Sequence, residues 1–450
     1  MRKLYEQYCA GCHGADLRGG KASSLLDQTW RQGGDDESLR ATIENGIPAS
    51  GMPGFKATFT PAETRAMVIL LRETAERSVA PELKGVRPLP SGVQRAAGQE
   101  YRIEDYAYGF DVPWAMAFTG PDELFVTERA GRLRRIVEGK LHPEPIRNTP
   151  RVWARDEGGL LCVAVDPDYR QNGWVYLSFS DPGPNDTAMT KIVRGRVRDH
   201  AWTDEEVLFA LEHAAYSDSG MGFGCRLLFS GEHLYFTLGE RGRVGAAQDL
   251  GSPFGKVHRI HRDGTIPSDN PFAGKAGALG SIYSLGNRNP QGLAIDPRNG
   301  DLWSTEHGPR GGDELNQIRP GANYGWPIIT HGMNYDGTPV SALTEKPGLE
   351  QPRRHWTPSI AVCPILFYSG DRFPAWKNRL FLGSLAQQEF LIFTVEDSQL
   401  VAEERVFKDL GRVRDIQTGP DGLIYLSMEP PGTPGRILRL VPVEGSRPAP

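Results

Sequence analysis

Two cysteines and a histidine near the amino terminus, Cys9, Cys12 and His13, form a Cys-x-x-Cys-His motif. This spacing is typical of covalent attachment of a c-type haem, because two thiols three positions apart can bond to the vinyl groups and the adjacent imidazole can ligate the iron. The alternatives are a zinc half-site or a buried thiol pair. Zinc requires two further Cys or His ligands at short spacing, and no histidine follows His13 until His142. The motif therefore predicts haem c with His13 as one axial ligand.

A methionine is the expected sixth ligand of such an iron. Met52 lies in the loop Gly-Met-Pro-Gly-Phe over residues 51–55, where a thioether can point at the metal. Met67 is the other candidate nearby, but it falls among leucines and is predicted to be a core residue. We therefore predict that Met52 completes the iron coordination.

Helix signals surround these ligands. Residues 4–8 are predicted to form a short helix that leads into the motif. Thr60, Pro61 and Glu63 are the residue types expected at the N-cap, first and third positions of a helix, which we expect to run to about Arg77. The order of the motif, the methionine and the terminal helix makes residues 1–78 resemble a small, all-α class I cytochrome c domain.

Composition narrows the remaining possibilities. The chain has 450 residues, too many for one ordinary domain, and its net charge of −5 without a basic run argues against nucleic-acid binding. The longest apolar run, residues 66–71, is far too short to span a membrane. Haem attachment to this motif normally occurs outside the bacterial cytoplasm. We therefore expect a periplasmic or secreted protein whose leader has been removed or is missing from this sequence.

The second part of the chain repeats one pattern. Residues 79–100 are rich in proline and glycine and are predicted to be a linker. From residue 101 an apolar strand, a Gly/Pro/Asp turn and a second apolar strand recur six times, for example at residues 114–126 and 292–303. A β-sandwich would not reuse one hairpin six times. The repeats predict an all-β, six-bladed β-propeller over residues 101–450.

Specific motifs then resemble a known family. The stretch Tyr-Ser-Leu-Gly-Asn-Arg-Asn-Pro-Gln-Gly-Leu-Ala at 283–294 is followed by Thr-Glu-His-Gly-Pro-Arg-Gly-Gly-Asp-Glu-Leu-Asn at 305–316 and Gly-Ala-Asn-Tyr-Gly-Trp-Pro at 321–327. Over residues 101–442 the chain resembles the PQQ-dependent glucose/sorbosone dehydrogenases, which include aldose sugar dehydrogenases. The resemblance implies that PQQ is bound in a propeller mouth.

The resemblance also implies positions for calcium. Gly308 and Pro309 match the pair whose carbonyl oxygens hold the calcium that clamps PQQ. Glu314 and the carbonyl of Tyr324 match a second, structural calcium site. Oxygen donors of this kind are what calcium prefers.

Three residues are catalytic candidates by the same resemblance. Arg243 matches an arginine that contacts the quinone carbonyls, where a cation would stabilise developing negative charge. Glu157 matches a polar residue at the rim of the pocket. His307, beside the calcium carbonyls, matches a polar position that could also be a supporting residue.

The sequence departs from the family at the general base. The family places a histidine at the position of Gly222, and removal of a hydroxyl proton needs a base. His213, Asp218 and His307 are the candidate substitutes, although the first two are more typical of solvated loops. The basic residues that meet the carboxylates of PQQ are also not found in the segment after Leu385, so the sequence predicts a weakened PQQ site.

Three further cysteines, Cys162, Cys225 and Cys363, each stand near the start of a predicted innermost strand. Innermost strands line the channel of a propeller, so these thiols could approach one another. Two interpretations stay open: three small buried hydrophobic residues, or a thiol or metal site in the channel.

These observations favour a periplasmic quinohaemoprotein dehydrogenase. It would oxidise a small sugar or alcohol with PQQ and calcium and pass electrons to its own haem, and then to an external acceptor such as another cytochrome or a copper protein. The first alternative is a redox enzyme on this scaffold with PQQ-independent metal or thiol chemistry. A calcium-dependent lactonase or hydrolase, and a non-catalytic electron-transfer module, are further alternatives, but a hydrolase needs no haem.

Overall fold

A computed structural model of the protein describes residues 1–27, 29–30, 32–79, 88–430 and 434–443. Four helices belong to its amino-terminal part and a fifth, short helix to the strand-rich part. Their bounds are α1 (Arg2–Tyr8), α2 (Ala10–His13), α3 (Asp36–Asn45), α4 (Pro61–Val79) and α5 (Tyr169–Asn172). Single 3₁₀ turns occur at Pro48–Ser50, Pro184–Asp186, His213–Ala215, Val244–Gln248 and Pro374–Trp376.

Side-chain caps explain where the two longer helices begin. The carboxylate of Asp35 accepts a hydrogen bond from the Ser38 amide at 2.8 Å at the start of α3. At the start of α4 the amide of Thr60 donates to Glu63 at 2.8 Å, and the amide of Glu63 donates to the Thr60 hydroxyl at 3.2 Å. This reciprocal pair is the capping box that the sequence predicted, and it satisfies amides that have no partner within the helix.

The helices enclose a small apolar core of their own. Its most buried members include Tyr5, Leu39 and Met67. Burial of this cluster holds α1, α3 and α4 around a common centre, since apolar area removed from water is the main favourable term in folding. The prediction of a small all-α domain ahead of the strands is confirmed.

Strands are the main secondary structure in the rest of the described chain, and they form six antiparallel sheets. The first three sheets contain β3 (Pro113–Gly120), β4 (Glu123–Glu128), β5 (Arg132–Val137) and β6 (Lys140–Leu141); β7 (Leu160–Val165), β8 (Val175–Pro182), β9 (Ala188–Arg198) and β10 (Ala201–Phe209); and β11 (Leu227–Ser230), β12 (His233–Leu238), β13 (Lys256–His261) and β14 (Ile282–Leu285).

The next two sheets contain β15 (Pro290–Ile295), β16 (Leu302–Glu306), β17 (Asp313–Ile318) and β18 (Arg354–Trp356); and β19 (Val362–Phe367), β20 (Leu380–Ser384), β21 (Glu389–Glu396) and β22 (Gln399–Lys408). The last sheet joins both ends of the strand region: β1 (Gln94–Ala96), β2 (Gln99–Phe110), β23 (Arg412–Thr418), β24 (Ile424–Glu429) and β25 (Gly435–Pro442).

Pairing of β2 with β25 closes the ring. Tyr101 lies opposite Pro442 and Phe110 opposite Gly435. The first long strand therefore completes the last blade, which joins the start of the strand region to its end. All six predicted hairpins are observed, as β3–β4, β7–β8, β11–β12, β15–β16, β19–β20 and β23–β24. The six-bladed propeller is therefore confirmed. Strands β1 and β2 begin within the stretch predicted as linker, where Ala96 and Gln99 pair across a tight turn, and residues 80–87 of that stretch lie outside the described part of the chain.

Candidate active site

The first cavity of interest lies in the helical part. Cys9, His13 and Met52 line the same cavity, together with apolar residues from α3 and α4 that include Met67. Cys12 is exposed beside it on α2. A cavity that is apolar and carries a thiol, an imidazole and a thioether has the ligands that a haem requires. The residues predicted to ligate haem are therefore brought together.

The imidazole of His13 is oriented by the backbone. Its Nδ1 lies 3.0 Å from the carbonyl oxygen of Ser23, so Nδ1 is the protonated nitrogen and Nε2 is left free. Second-sphere hydrogen bonds of this kind fix the tautomer and direction of metal-bound histidines. Met52 is held by a backbone bridge to Ile47, on either side of the Pro48–Ser50 turn. These contacts fit axial coordination of an iron by His13 and Met52.

The second cavity, of about 290 Å³, lies at one mouth of the propeller channel. Residues at or just before the first positions of all six innermost strands line this cavity. The lining residues are Trp114, Arg129, Asp156, Glu157, Leu161, Phe223, Gly224, Gln291, His307, Gly308, Pro309, Tyr335, Ser359, Ala361, Leu385, Arg412 and Arg414. The structure therefore brings together Glu157, His307, Gly308 and Pro309, as the sequence predicted.

Arg243 is not among the lining residues of this cavity. Its side chain is exposed, donates to the carbonyl of Tyr216 at 3.2 Å and lies over the ring of Phe254. Arg288 is the guanidinium that the structure places beside the cavity loop, because its Nη1 donates to the carbonyl oxygens of His307 and Gly308 at 3.0 and 2.8 Å. The contact between Arg243 and the quinone carbonyls stays a prediction.

Arg129, Arg412 and Arg414 give the cavity a positive wall. Arg414 is held by Glu429, which accepts from Nε at 2.7 Å, while burial and the neighbouring Arg414 lower the pKa of Arg412. The expectation that the last blades supply no cations was wrong. The cations lie in β23 rather than directly after Leu385, and their Arg-x-Arg alternation, which places both side chains on one face of a strand, was the signal that could have revealed them.

Glu157 stands where the missing histidine would act. Its Oε2 accepts the amide of Gly222 at 2.8 Å and lies 3.4 Å from the Asn289 side-chain amide. Gly222 has φ +74°, and an added Cβ would lie 3.0 Å from the backbone nitrogen of Arg241. A histidine at position 222 would therefore be strained here, and the backbone is shaped for glycine with Glu157 bound to it.

The other candidate bases are less well placed. His213 and Asp218 are exposed and neither lines the cavity. His307 does line it, and its Nε2 is buried with no hydrogen-bond partner among the described residues. Burial, with the charge of Arg288, lowers the pKa of His307 to about 3. His307 is thus a neutral imidazole at physiological pH and is suited to contacting a ligand rather than to taking up a proton.

A buried pair of carboxylates lies behind this loop. The side-chain nitrogen of Asn316 donates to Glu306 at 3.0 Å and to Glu314 at 3.1 Å, and Tyr324 lines the same small cavity. Burial, followed by the nearby charge of Glu306, raises the pKa of Glu314 well above its ordinary value. Two adjacent buried carboxylates are stabilised by a cation, so Glu314 and Tyr324 fit the predicted calcium site, and Glu306 is a ligand candidate that the sequence did not reveal.

The calcium predicted at Gly308 and Pro309 fits less well. The Gly308 carbonyl already accepts a hydrogen bond from Arg288, a fixed positive charge. A cation bound there would have to share this oxygen with a guanidinium, and like charges in contact repel. Of the two predicted calcium sites, the Glu306–Glu314 pair has the stronger support in the structure.

The three spare cysteines lie at the inner ends of blades, as expected, and all are buried. Burial raises the pKa of Cys162 to about 11 and that of Cys225 to about 12, and it also raises that of Cys363. Within the described residues no group of three or more His, Cys, Asp or Glu side chains is arranged to hold a metal. The geometry favours inert buried thiols.

Comparisons with known proteins agree with this architecture. The family model for glucose/sorbosone dehydrogenase matches residues 110–439, and that for subunit III of cbb3-type cytochrome c oxidase matches residues 1–71. The chain is 38% identical over 353 residues to aldose sugar dehydrogenase YliI of Escherichia coli strain K12, covering 77% of this chain and 94% of that protein. No helix in the described ranges is both long and apolar enough to cross a bilayer.

Solved structures show the same relationship. The apo form of the aldose sugar dehydrogenase of Escherichia coli superposes with a TM-score of 0.72 at 37% identity, covering 76% of this chain and all of that one. The PQQ-bound aldose sugar dehydrogenase of Streptomyces coelicolor gives a TM-score of 0.62 at 25% identity, with 76% and 98% covered. The chain belongs to the glucose/sorbosone dehydrogenase family and carries a cytochrome c domain at its amino terminus.

Proposed function

We propose that this protein oxidises an aldose sugar with PQQ bound in the 290 Å³ cavity and delivers the electrons to haem c in its own cytochrome domain. The observation that carries the proposal is the cavity itself, which is lined by two acidic residues, Asp156 and Glu157, and three arginines at the mouth of a sugar-dehydrogenase propeller. Relatives are named as aldose sugar dehydrogenases, and one of them is described as PQQ-bound. Simple alcohols are a second substrate class for the same chemistry.

The arginines would bind the cofactor. PQQ is strongly anionic, and the guanidinium groups of Arg129, Arg412 and Arg414 can form charge-assisted hydrogen bonds with its carboxylates. When bound, PQQ supplies a carbonyl that accepts hydride from the substrate carbon. His307, which lines the cavity and is neutral, would contribute a hydrogen bond to ligand or substrate.

Glu157 would take the proton. Loss of hydride from a carbinol carbon requires the hydroxyl proton to leave, and a positioned carboxylate can accept it. The Gly222 amide and the Asn289 side chain hold Oε2 of Glu157 in place at the cavity wall. Glu157 therefore replaces the histidine that the family uses at this step.

The helical part would hold haem through thioether bonds to Cys9 and Cys12, with His13 and Met52 as axial ligands. Haem accepts one electron at a time, so an external one-electron acceptor, such as another cytochrome or a copper protein, must reoxidise it between the two transfers of each turnover. We place this reaction in the periplasm, where c-type haem is attached. In this proposal residues 1–78 carry the haem, 101–450 carry the sugar site, and calcium at Glu306 and Glu314 is structural.

The experiment compares Glu157→Gln with wild type in an assay that couples aldose oxidation to a dye, using protein loaded with haem, PQQ and Ca²⁺. We expect kcat to fall by about 10²- to 10⁴-fold, the usual contribution of a general base. PQQ affinity, measured by titration, should change little. Asp218→Asn, at an exposed acid outside the cavity, is the matched control and should keep full activity. An unchanged kcat in Glu157→Gln would refute the assignment of the base, and no dye reduction by wild type with any aldose would refute the proposed activity.

A further inference from the structure

Helix α4 faces both functional parts of the molecule. Met67 and Leu71, one helical turn apart, line the haem cavity. On another face of the same helix, Ala66 and Ile69 are buried against Met333 of the propeller. Residues three or four apart share a face of a helix, so one side of α4 is committed to the haem cavity and another to the propeller.

A bidentate ion pair fixes this contact. Nε of Arg310 lies 2.8 and 2.9 Å from the two carboxylate oxygens of Glu73, and Nη2 lies 2.6 Å from Oε2. Both side chains are largely shielded, with exposed fractions of 22% and 11%. Planar fork-to-carboxylate pairing of this kind fixes orientation as well as distance. Arg65, two helical turns before Glu73, also donates to the carbonyl oxygen of Ser341.

The propeller loop that makes this contact also forms part of the wall of the 290 Å³ cavity at the propeller mouth, which we call the sugar cavity. Pro309 lines that cavity and is followed directly by Arg310. Arg310 is bonded to Met333 in both directions through the backbone, at 3.1 and 3.0 Å. Gly311 lies next to the cytochrome, because a Cβ added there would lie 3.5 Å from Cδ1 of Ile69. Three consecutive residues therefore lead from the sugar cavity to the helix that lines the haem cavity.

We infer that residues 309–311 and the outer face of α4 form the internal electron-transfer contact of this protein, with Arg310 and Glu73 as its positioning residues. This inference rests on the proposed function and adds the route. Oxidation of one sugar hydroxyl to a carbonyl releases two electrons and two protons. With PQQ as the two-electron acceptor of the hydride, the electrons would cross this contact singly to a haem held by Cys9, Cys12, His13 and Met52, and an external one-electron acceptor would remove each in turn. The protons leave to water by way of the cavity.

Because of this contact, electrons pass between two domains that are docked together, and not between tethered domains that meet by chance. The test is Glu73→Arg, which places two cations against each other through a change on α4, at a residue that does not line the sugar cavity. The double variant Glu73→Arg/Arg310→Glu restores an ion pair with reversed polarity. Glu37→Arg is the matched control, because Glu37 is an exposed acid of α3 whose ion pair within the described residues is with Arg40 of its own domain.

Two readouts are needed. The first is the rate at which an aldose raises the haem α-band in stopped-flow, beside dye-linked oxidation that bypasses the haem. We expect Glu73→Arg to slow haem reduction by about tenfold or more, since the docked domains lose a charge-assisted ion pair and gain a like-charge contact, while dye-linked turnover stays at the wild-type rate. The double variant should recover much of the loss. The second readout is small-angle X-ray scattering of the haem-loaded protein without PQQ, where Glu73→Arg should increase the radius of gyration and the double variant should not.

The outcomes separate the two ideas. If wild type reduces neither dye nor haem with any aldose, the proposed function fails, while scattering still reports whether the ion pair docks the domains. If dye-linked turnover is normal and Glu73→Arg reduces its haem as fast as wild type does, the electron route is wrong. An equal radius of gyration in wild type and Glu73→Arg would show that these residues do not position the domains.

Discussion

Replacement of Glu314 by glutamine is expected to stabilise the calcium-free protein and to remove its stabilisation by calcium. The Glu306 and Glu314 oxygens that share the Asn316 donor can be no further apart than these two hydrogen bonds combined, about 6 Å. Two full charges at about 6 Å repel by roughly 3 kcal/mol at an effective dielectric constant of about 20. Glutamine removes one charge and keeps an oxygen for Asn316. At a pH at which both carboxyl groups are ionised, roughly this energy or more should be regained, and the gain should shrink at lower pH because the raised pKa of Glu314 lets the pair bind a proton.

Calcium should raise the free energy of unfolding of wild type more than that of Glu314→Gln. At about 100 times its Kd, a ligand that binds only the folded state adds about 2.7 kcal/mol to the free energy of unfolding. Wild type with calcium should therefore approach the stability of calcium-free Glu314→Gln, and the variant should gain much less from calcium.

The assay is calorimetric unfolding of the propeller transition in EGTA and in excess Ca²⁺. Glu345→Gln, at an exposed acid of a surface loop, is the control and should respond to calcium as wild type does. A lower unfolding temperature for Glu314→Gln than for wild type in EGTA would refute the repulsion argument. An equal gain from calcium in both proteins would place the ion elsewhere.

Two further predictions concern buried groups away from the sugar cavity. Lys256 donates to the carbonyl oxygens of residues 246, 247 and 254 at 2.9, 2.9 and 2.7 Å, so Lys256→Met should lower the free energy of unfolding by about 3 kcal/mol or more, at about 1–3 kcal/mol for each buried acceptor left unpaired. Burial lowers the pKa of Lys256 to about 7 from its ordinary value of 10.5. Between pH 7 and 10.5 this lysine is protonated in the unfolded chain but not in the folded one, so its contribution to stability rises with pH. The free energy of unfolding should therefore rise more steeply with pH in wild type than in Lys256→Met, and equal slopes would contradict this. Because Cys162, Cys225 and Cys363 are buried thiols with raised pKa values, iodoacetamide followed by mass spectrometry should label them only after unfolding, and rapid labelling of the native protein would revive a thiol-based mechanism.

The fold was predictable because its signals are local. Each blade is indicated in the sequence by a hairpin whose two strands and turn lie within about 25 residues, as at residues 114–126 and 292–303. The predicted haem ligands also rest on local signals, since Cys9, Cys12 and His13 lie within five residues and Met52 lies in a short loop of distinctive composition. The closing strand was harder to recognise, because β2 pairs with β25 across more than 300 residues.

The sugar site was only partly predictable because its residues come from every blade. Glu157 was singled out by its motif, but its contact with Gly222 across 65 residues could not be inferred from spacing. Arg412 and Arg414 were not predicted, because the positive charge lies in the next innermost strand and not in the loop after Leu385. Arg243 lies outside the lining of this cavity, so its contact with the quinone stays a prediction. Glu306 was missed because nothing in the sequence shows that β16 and β17 bring it beside Glu314.

The most direct test of the central claim is a visible spectrum of the oxidised, haem-loaded protein before and after an aldose is added, with and without PQQ and Ca²⁺. The proposed function predicts that the haem α-band rises only when PQQ and the sugar are both present, with Ca²⁺ acting through the stability of the propeller. If dithionite reduces the haem but no aldose does so under any of these conditions, the claim that this protein passes electrons from a sugar to its own haem is contradicted.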